Sequence, residues 1–201
     1  MIAHHYRALT VAVAGMALFL TSCQSAPTRL FELDPIALTS IPSPYNGPAI
    51  RVDAVHIPPA LDRIEILSEI GLGEFKVSDR DQWVAPLGQL ARQALTEDLI
   101  ARLPPGRVIF PDLAKSTGTI SVSVDLLAFS AGREGAKLQA SWVGTSDGSQ
   151  PRSYGGTMLL ETTLRGAGSA ATASALSTLL AELADCIVAE LLLLAPVEPT
   201  P

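Results

Sequence analysis

The sequence is poor in the residue types on which catalysis and metal binding depend. Its 201 residues include two cysteines and three histidines, and only His56 lies beyond the first five residues. No cysteine, serine or acidic pattern supplies the nucleophile and base that an active site needs. We therefore predict that the chain is not an enzyme and that it holds neither a metal nor a cofactor. We expect His56 to be a half-buried strand residue, with a catalytic base as the alternative.

Clusters of basic residues are also missing. Lys and Arg total 14 against 20 Asp and Glu, which gives a net charge of −6, and the basic residues form no run. An acidic chain of this kind has little electrostatic attraction for nucleic acid or for an anionic lipid surface. We exclude a nucleic-acid partner, and any contact with a membrane must depend on something other than electrostatic attraction.

No run that is both apolar and uncharged is long enough to span a bilayer. The first apolar run, residues 8–19, has twelve residues and follows a short polar segment with one fixed positive charge at Arg7. Twelve helical residues are too short for about 30 Å of hydrocarbon, but they are typical of a secretory signal. The leucine-rich run 171–194 contains Glu182, Asp185 and Glu190, which makes a core helix the better prediction.

The signal ends in Leu20-Thr21-Ser22-Cys23, which is typical of a lipoprotein signal because the cysteine thiol can accept a diacylglycerol. Cleavage between Ser22 and Cys23 would leave Cys23 as an acylated, palmitate-bearing first residue and a stable membrane anchor. The alternatives are an ordinary signal peptide that contains a cysteine, and a short buried helix. Gln24 stands where an aspartate would signal inner-membrane retention, so we expect an outer-membrane anchor with the domain facing the periplasm.

This division predicts a signal peptide at 1–22, an acylated cysteine with a short linker at 23–29, and a single domain at 30–201. Loss of the one positive charge at Arg7 changes the net charge from −6 to −7. At about 3.5 Å per residue, linker residues 24–28 keep the start of the domain within about 20 Å of the bilayer. Cys186 is the remaining cysteine, so we expect no intrachain disulfide and a small core residue at that position.

Hydrophobic periodicity predicts a two-layer α+β sandwich, a mostly antiparallel sheet with two main helices. The helix near the middle of the chain has leucines along one face, and its polar face includes Arg102. We expect Asp81 to cap this helix, and Ser169 or Thr172 to cap the last one. The predicted strands are 30–33, 49–57 with a bulge near Ala54, 64–70, 75–77, 108–110, 119–129, 137–143 and 153–164, and the predicted helices are 83–103 and 171–194.

Two motif-like patterns have simpler interpretations. Residues 144–148 match G-x-S-x-G, but no helix follows and no histidine lies beyond His56, so we predict a hairpin turn. Residues 166–171 resemble a dinucleotide fingerprint without the second strand that such a site requires, so we predict a turn into the last helix. Four of the acidic residues between 62 and 81 could be grouped around a cation, but they fit no calcium loop and are better explained by caps and turns: Asp62, Glu65, Asp79 and Asp81.

Three residues are candidates for a partner interface. Trp83 and Tyr154 are large aromatic residues of the kind that mark interfaces when exposed, and Pro86 lies close to Trp83 in the chain. The alternative for the two aromatic residues is burial in the core.

Several segments together resemble one known family. They are residues 30–35, the stretch 52–63 with its Leu-Asp-Arg ending, Trp83-Val84-Ala85-Pro86-Leu87, and the helix end 99–104. With the lipoprotein signal, this order of segments is similar to that of the ABC-type transport auxiliary lipoproteins.

The resemblance implies an auxiliary component of an ABC transport system that has an MCE-domain substrate-binding protein and moves phospholipid or other lipid between the inner and outer membranes. The MCE-domain protein and the ABC subunits are then partners, and the question of whether the chain forms a homo-oligomer is left open. Two alternatives are a lipoprotein that carries lipid by itself in an apolar groove between sheet and helices, and a purely structural envelope lipoprotein.

Overall fold

The computed structural model describes residues 26–36, 44–146 and 151–194. The signal segment, Cys23 and residues 147–148 of the predicted hairpin turn lie outside these ranges, whereas residues 144–146 of that turn belong to a strand. The elements in chain order are β1 (Arg29–Phe31), β2 (Ile50–His56), β3 (Glu65–Gly71), β4 (Glu74–Trp83), α1 (Leu87–Arg102), β5 (Ile120–Gly132), β6 (Gly135–Ser146), β7 (Arg152–Thr162) and α2 (Gly168–Leu194).

The strands form one seven-stranded mixed sheet. Its order is β1-β4-β3-β5-β6-β7, and β2 also pairs with β5. Because β6 occupies one edge of β5 throughout, β2 and β3 share the other edge: β2 lies along the start of β5, and β3 meets it at Gly132. The pairs β3–β4, β5–β6 and β6–β7 are antiparallel, and β1–β4, β2–β5 and β3–β5 are parallel.

Strand alternation places one face of the sheet under the helices. In β6, Leu138, Ala140 and Trp142 are buried and alternate with residues that face outward. Helix α1 packs over β2, and α2 packs over β5, β6 and β7. The structure therefore confirms the α+β sandwich with its mostly antiparallel sheet.

Helix α2 is a core helix. Its residues Leu179, Leu183 and Ile187 are fully buried, and each such side chain contributes about 1.5–3 kcal/mol relative to exposure. No helix in the described part of the chain is long and apolar enough to cross a membrane.

Some local predictions were wrong in detail. Asp81 lies inside β4, which continues to Trp83, so it does not cap α1. The segment 108–110 contributes an isolated bridge from Val108 to Ile50 and no strand. His56 is exposed at the end of β2, whereas the bulge between Val52 and Ala54 is confirmed.

Candidate functional site

The segment that follows the predicted linker is fixed to the sheet by an ion pair. Arg29 in β1 donates from Nε and Nη2 to the two carboxylate oxygens of Asp81, over 2.7 and 2.6 Å. Ser169, at the start of α2, donates to Asp81 Oδ2 over 2.6 Å, so it is not a cap. The hydrogen bond from Arg29, followed by that from Ser169, lowers the pKa of Asp81 below its ordinary value. One buried carboxylate thus connects β1, β4 and α2.

The loop after β1 is attached to the helical layer. Ile36 N donates to Asp98 Oδ1 over 3.0 Å, and Asp34 N donates to Ser177 Oγ over 3.1 Å. Because Asp98 belongs to α1 and Ser177 to α2, the loop contacts both helices. The N-terminal segment is therefore attached first to the sheet and then to the helices.

Asp98, Arg102 and Asp185 form a charged cluster between the helices, called here the Asp98 cluster. Arg102 Nη1 donates to Asp98 Oδ1 over 3.1 Å, and Arg102 Nε donates to Asp185 Oδ1 over 2.7 Å. Asp98 and Arg102 are buried, which corrects the expectation that Arg102 lies on a solvated face. Burial raises the pKa of Asp98 to about 6, although Ile36 N and Arg102 act to lower it. Among the described residues, Asp98 Oδ2 has no hydrogen-bond partner.

The residues that carry the resemblance have structural roles. Asp62 Oδ1 accepts a hydrogen bond from Gly88 N in the first turn of α1 over 2.8 Å, so a residue 26 positions earlier caps this helix. Trp83 N donates to Ile64 O over 2.6 Å, which holds the end of β4 against the start of β3. These segments therefore fix α1 on the sheet.

The predicted interface residues are not exposed together. Trp83 is 4% exposed and Tyr154 is 7% exposed, so both belong to the core, which was the alternative to an interface for these two rings. Their strands place both side chains on the helix-covered face of the sheet, whereas Pro86 is exposed before α1. Ser22 and Cys23 lie outside the described residues, and Cys186 is a partly buried free thiol on α2 whose pKa burial raises.

An apolar surface that the sequence patterns did not single out lies at the turn between β3 and β4, residues 71–74, called here the β3–β4 turn. Leu72 is fully exposed, and Ile70, Phe75 and Val77 next to it are each about 40% exposed. Gly73 has a φ of 72°, a left-handed conformation that favours glycine. The available signal was an apolar residue, Leu72, between two glycines where a hairpin turn is normally polar.

A cleft opens beside this turn. Its volume is about 760 Å³, and its walls come from the β3–β4 turn, the β5–β6 turn and the end of β7. Charged side chains such as Lys137 and Glu161 line it together with Ile70 and Leu72, and Ser130 Oγ donates to Glu69 Oε2 over 3.0 Å. The cleft is thus of mixed polarity and lies at one end of the sheet.

Within the described ranges, no group of three or more His, Cys, Asp or Glu side chains could hold a metal ion. His56 lies in register with Asp125 of β5 and is exposed, so it is not the half-buried residue expected.

Comparisons with known proteins agree with this architecture. The chain is similar to a crystallised uncharacterised protein at 15% identity, with a TM-score of 0.68, over 82% of this chain and 99% of that one. It is also similar to protein XCC0632 from Xanthomonas campestris at 16% identity, with a TM-score of 0.59, over 79% of this chain and 92% of that one. No curated protein matches the chain.

The two structural likenesses show the fold, and the family follows from the sequence. The model of a family described as "ABC-type transport auxiliary lipoprotein component" matches residues 31–188, from β1 to α2. This is a transport family and not an enzyme family, and its members belong to the cell envelope. The chain belongs to the ABC-type transport auxiliary lipoprotein components.

Proposed function

We propose that this protein is the lipid-anchored auxiliary subunit of an MCE-type ABC system that moves phospholipid or a related lipid between the inner and outer membranes. The observation that carries the proposal is the family match, which begins eight residues after Cys23 and covers both layers of the fold. In this proposal residues 1–22 are removed, Cys23 is acylated, and residues 30–201 form the domain at the periplasmic face of the outer membrane.

The attachment of the N-terminal segment supports this role. A short linker followed by β1 would connect the acyl chains to the domain, and β1 is tied to β4 by Arg29 and Asp81. The loop after β1 is then tied to both helices. A partner that binds the domain is therefore held near the membrane, since the linker lets the domain start no more than about 20 Å from the bilayer. The MCE-domain protein would have to cross the periplasm, and this domain would receive it.

The interior of the fold supports docking over independent lipid carriage. A cavity between sheet and helices, lined by Trp83, Phe129 and Leu176 among others, has a volume of about 20 Å³, too small for an acyl chain. The larger cleft at the β3–β4 turn is partly charged and open. The cavity at that position is therefore too small to be the apolar groove expected of a lipid carrier.

A pull-down of the acylated protein from gently solubilised envelopes tests the proposal, with proteins and lipids identified by mass spectrometry. We expect the MCE-domain protein and its ABC subunits in the bound fraction. The matched control is Cys23→Ala, which cannot be acylated and should leave the membrane fraction. Recovery of lipid alone would favour an independent carrier, and recovery of neither would favour a structural lipoprotein. Light scattering of the same sample determines whether the protein is a homo-oligomer.

A further inference from the structure

The β3–β4 turn presents an apolar tip to its surroundings. Leu72 is fully exposed, and Ile70 and Phe75 flank it with about 40% of each side chain exposed. The strands on both sides pair with each other up to Gly71 and Glu74, with a register shift between Glu69 and Gly71, so the tip is carried by a paired hairpin. A paired hairpin that projects an apolar residue is suited to enter an apolar phase or a partner's pocket.

The direction of β1 indicates the side of the domain from which a membrane anchor at Cys23 would approach. β1 runs parallel to β4, with Arg29 opposite Asp81 and Phe31 opposite Trp83. Extended backwards from Arg29, the axis of β1 therefore points toward the start of β4, where the β3–β4 turn lies. A chain that continued in this direction would bring the predicted acylation site to the same side of the domain as the apolar tip.

The two distances also match. Cys23 precedes Arg29 by six residues, and Phe75 precedes Asp81 by six residues along β4. Six extended residues cover about 20 Å in either segment. The acylated residue can therefore reach at most the level of Phe75 in that direction, and Leu72 lies beyond that level.

Charge at this end of the sheet does not oppose contact with lipid. The net charge of the chain is −6, but acidic and basic groups are nearly balanced around the tip. The acidic side chains are Glu69, Glu74, Glu134 and Glu161, and the basic ones are Lys76, Arg133 and Lys137. Burial of apolar groups, which salt hardly weakens, would then drive the contact.

We propose that the β3–β4 turn, with Leu72 at its tip, inserts into the surface of the bilayer that holds the acyl chains of Cys23. The inference rests on the acylation that the proposed function assumes. Insertion gives the domain a second point of contact and fixes its orientation, since a single flexible tether leaves it free to rotate. The opposite end of the sheet, where β5 starts, then faces away from the membrane.

Depth-dependent quenching in proteoliposomes of the acylated protein, residues 23–201, tests the proposal. A tryptophan is introduced by Leu72→Trp, and the matched control is Leu113→Trp, since Leu113 is exposed in the loop before β5 at the opposite end. Wild-type protein gives the background from Trp83 and Trp142. With phospholipids brominated near the headgroup, we expect the added tryptophan emission of Leu72→Trp to fall at least twofold and that of Leu113→Trp to stay unchanged.

Flotation of the same vesicles distinguishes a failure of the proposed insertion from a failure of the proposed acylation. Protein that floats without added quenching at position 72 overturns the insertion and leaves the lipid anchor intact. Protein that does not float overturns the acylation, and the insertion with it.

A third measurement distinguishes lipid from a protein partner at the tip. Leu72→Glu and Leu113→Glu are compared in the envelope pull-down, and both should melt like the wild type because both side chains are exposed. Membrane insertion predicts that Leu72→Glu still recovers the MCE-domain protein and loses its fixed orientation. Selective loss of that partner in Leu72→Glu would mean that a protein occupies the tip, and would overturn the proposal.

Discussion

The Asp98 cluster and the β3–β4 turn depart from the usual burial pattern in opposite directions. In the first, Asp98 and Arg102 are withdrawn from water between two helices, with Asp185 at the exposed edge; in the second, an apolar side chain is fully exposed. The buried charges are held by hydrogen bonds from Arg102 and Ile36, and they connect parts of the same fold. The exposed leucine has no such role within the chain. The comparison indicates that the cluster serves the integrity of the domain, whereas the turn is available to something outside it.

The largest expected effect comes from Arg102→Leu. Without the guanidinium, Asp98 stays buried with only the Ile36 N–H to stabilise its charge, so we expect a loss of about 3–5 kcal/mol in the free energy of unfolding. Urea denaturation at pH 7 measures it. Arg133→Ala, which removes an exposed arginine beside the β3–β4 turn, is the control and should change little. Equal small losses in both variants would remove the contrast between the two regions.

The pH dependence of stability tests the Asp98 cluster in a second way. The pKa of Asp98 is about 6 in the folded chain and near 3.8 when unfolded, so between these values the folded chain binds more protons. Stability therefore falls as pH rises from 4 to 6, on the order of 2 kcal/mol from this group. Asp98→Asn should lack this component. The free energies of unfolding of both proteins between pH 4 and 7.5 would run parallel if Arg102 and the Ile36 N–H kept the carboxylate ionised throughout.

A smaller effect is expected at the start of α1. Asp62→Ala removes the acceptor for Gly88 N and should lower stability by about 1 kcal/mol. Asp62→Asn retains an acceptor oxygen and should lose much less. Thermal unfolding of the two variants measures the difference, and equal losses would show that the hydrogen bond contributes little.

The smallest effect on stability is expected at the turn itself. Leu72→Gln should change the free energy of unfolding by no more than about 0.5 kcal/mol, because the side chain has no buried contact to lose. Chemical denaturation in the absence of lipid measures it. A clear loss of stability would mean that Leu72 packs within the domain. The turn would then contribute to the integrity of the fold, as the Asp98 cluster does.

Residue patterns predicted the two layers of this fold because the period at which apolar residues recur reflects which face of each strand or helix is buried. The alternation in β6 and the leucines of α2 are local signals, and both elements were found where expected. The cap of α1 was assigned wrongly because its acceptor, Asp62, comes from a loop distant in sequence. Arg102 was placed in solvent because its position on the helix does not reveal that Asp98 and Asp185 surround it. The exposed turn also needed the structure, since exposure at Leu72 depends on how far the hairpin extends.

The short strand β1 determines how the domain would respond to mechanical load. Its hydrogen bonds to β4 lie across its axis, and a pull from an anchor at Cys23 would act on the strand from its Arg29 end. Tension between the membrane and a bound partner would therefore shear these bonds together with the Arg29–Asp81 ion pair, and would not peel them apart one at a time. Behind β1, the bonds from Asp34 and Ile36 would take up the load next. A three-residue strand can in this way help a tethered domain to resist unfolding under tension.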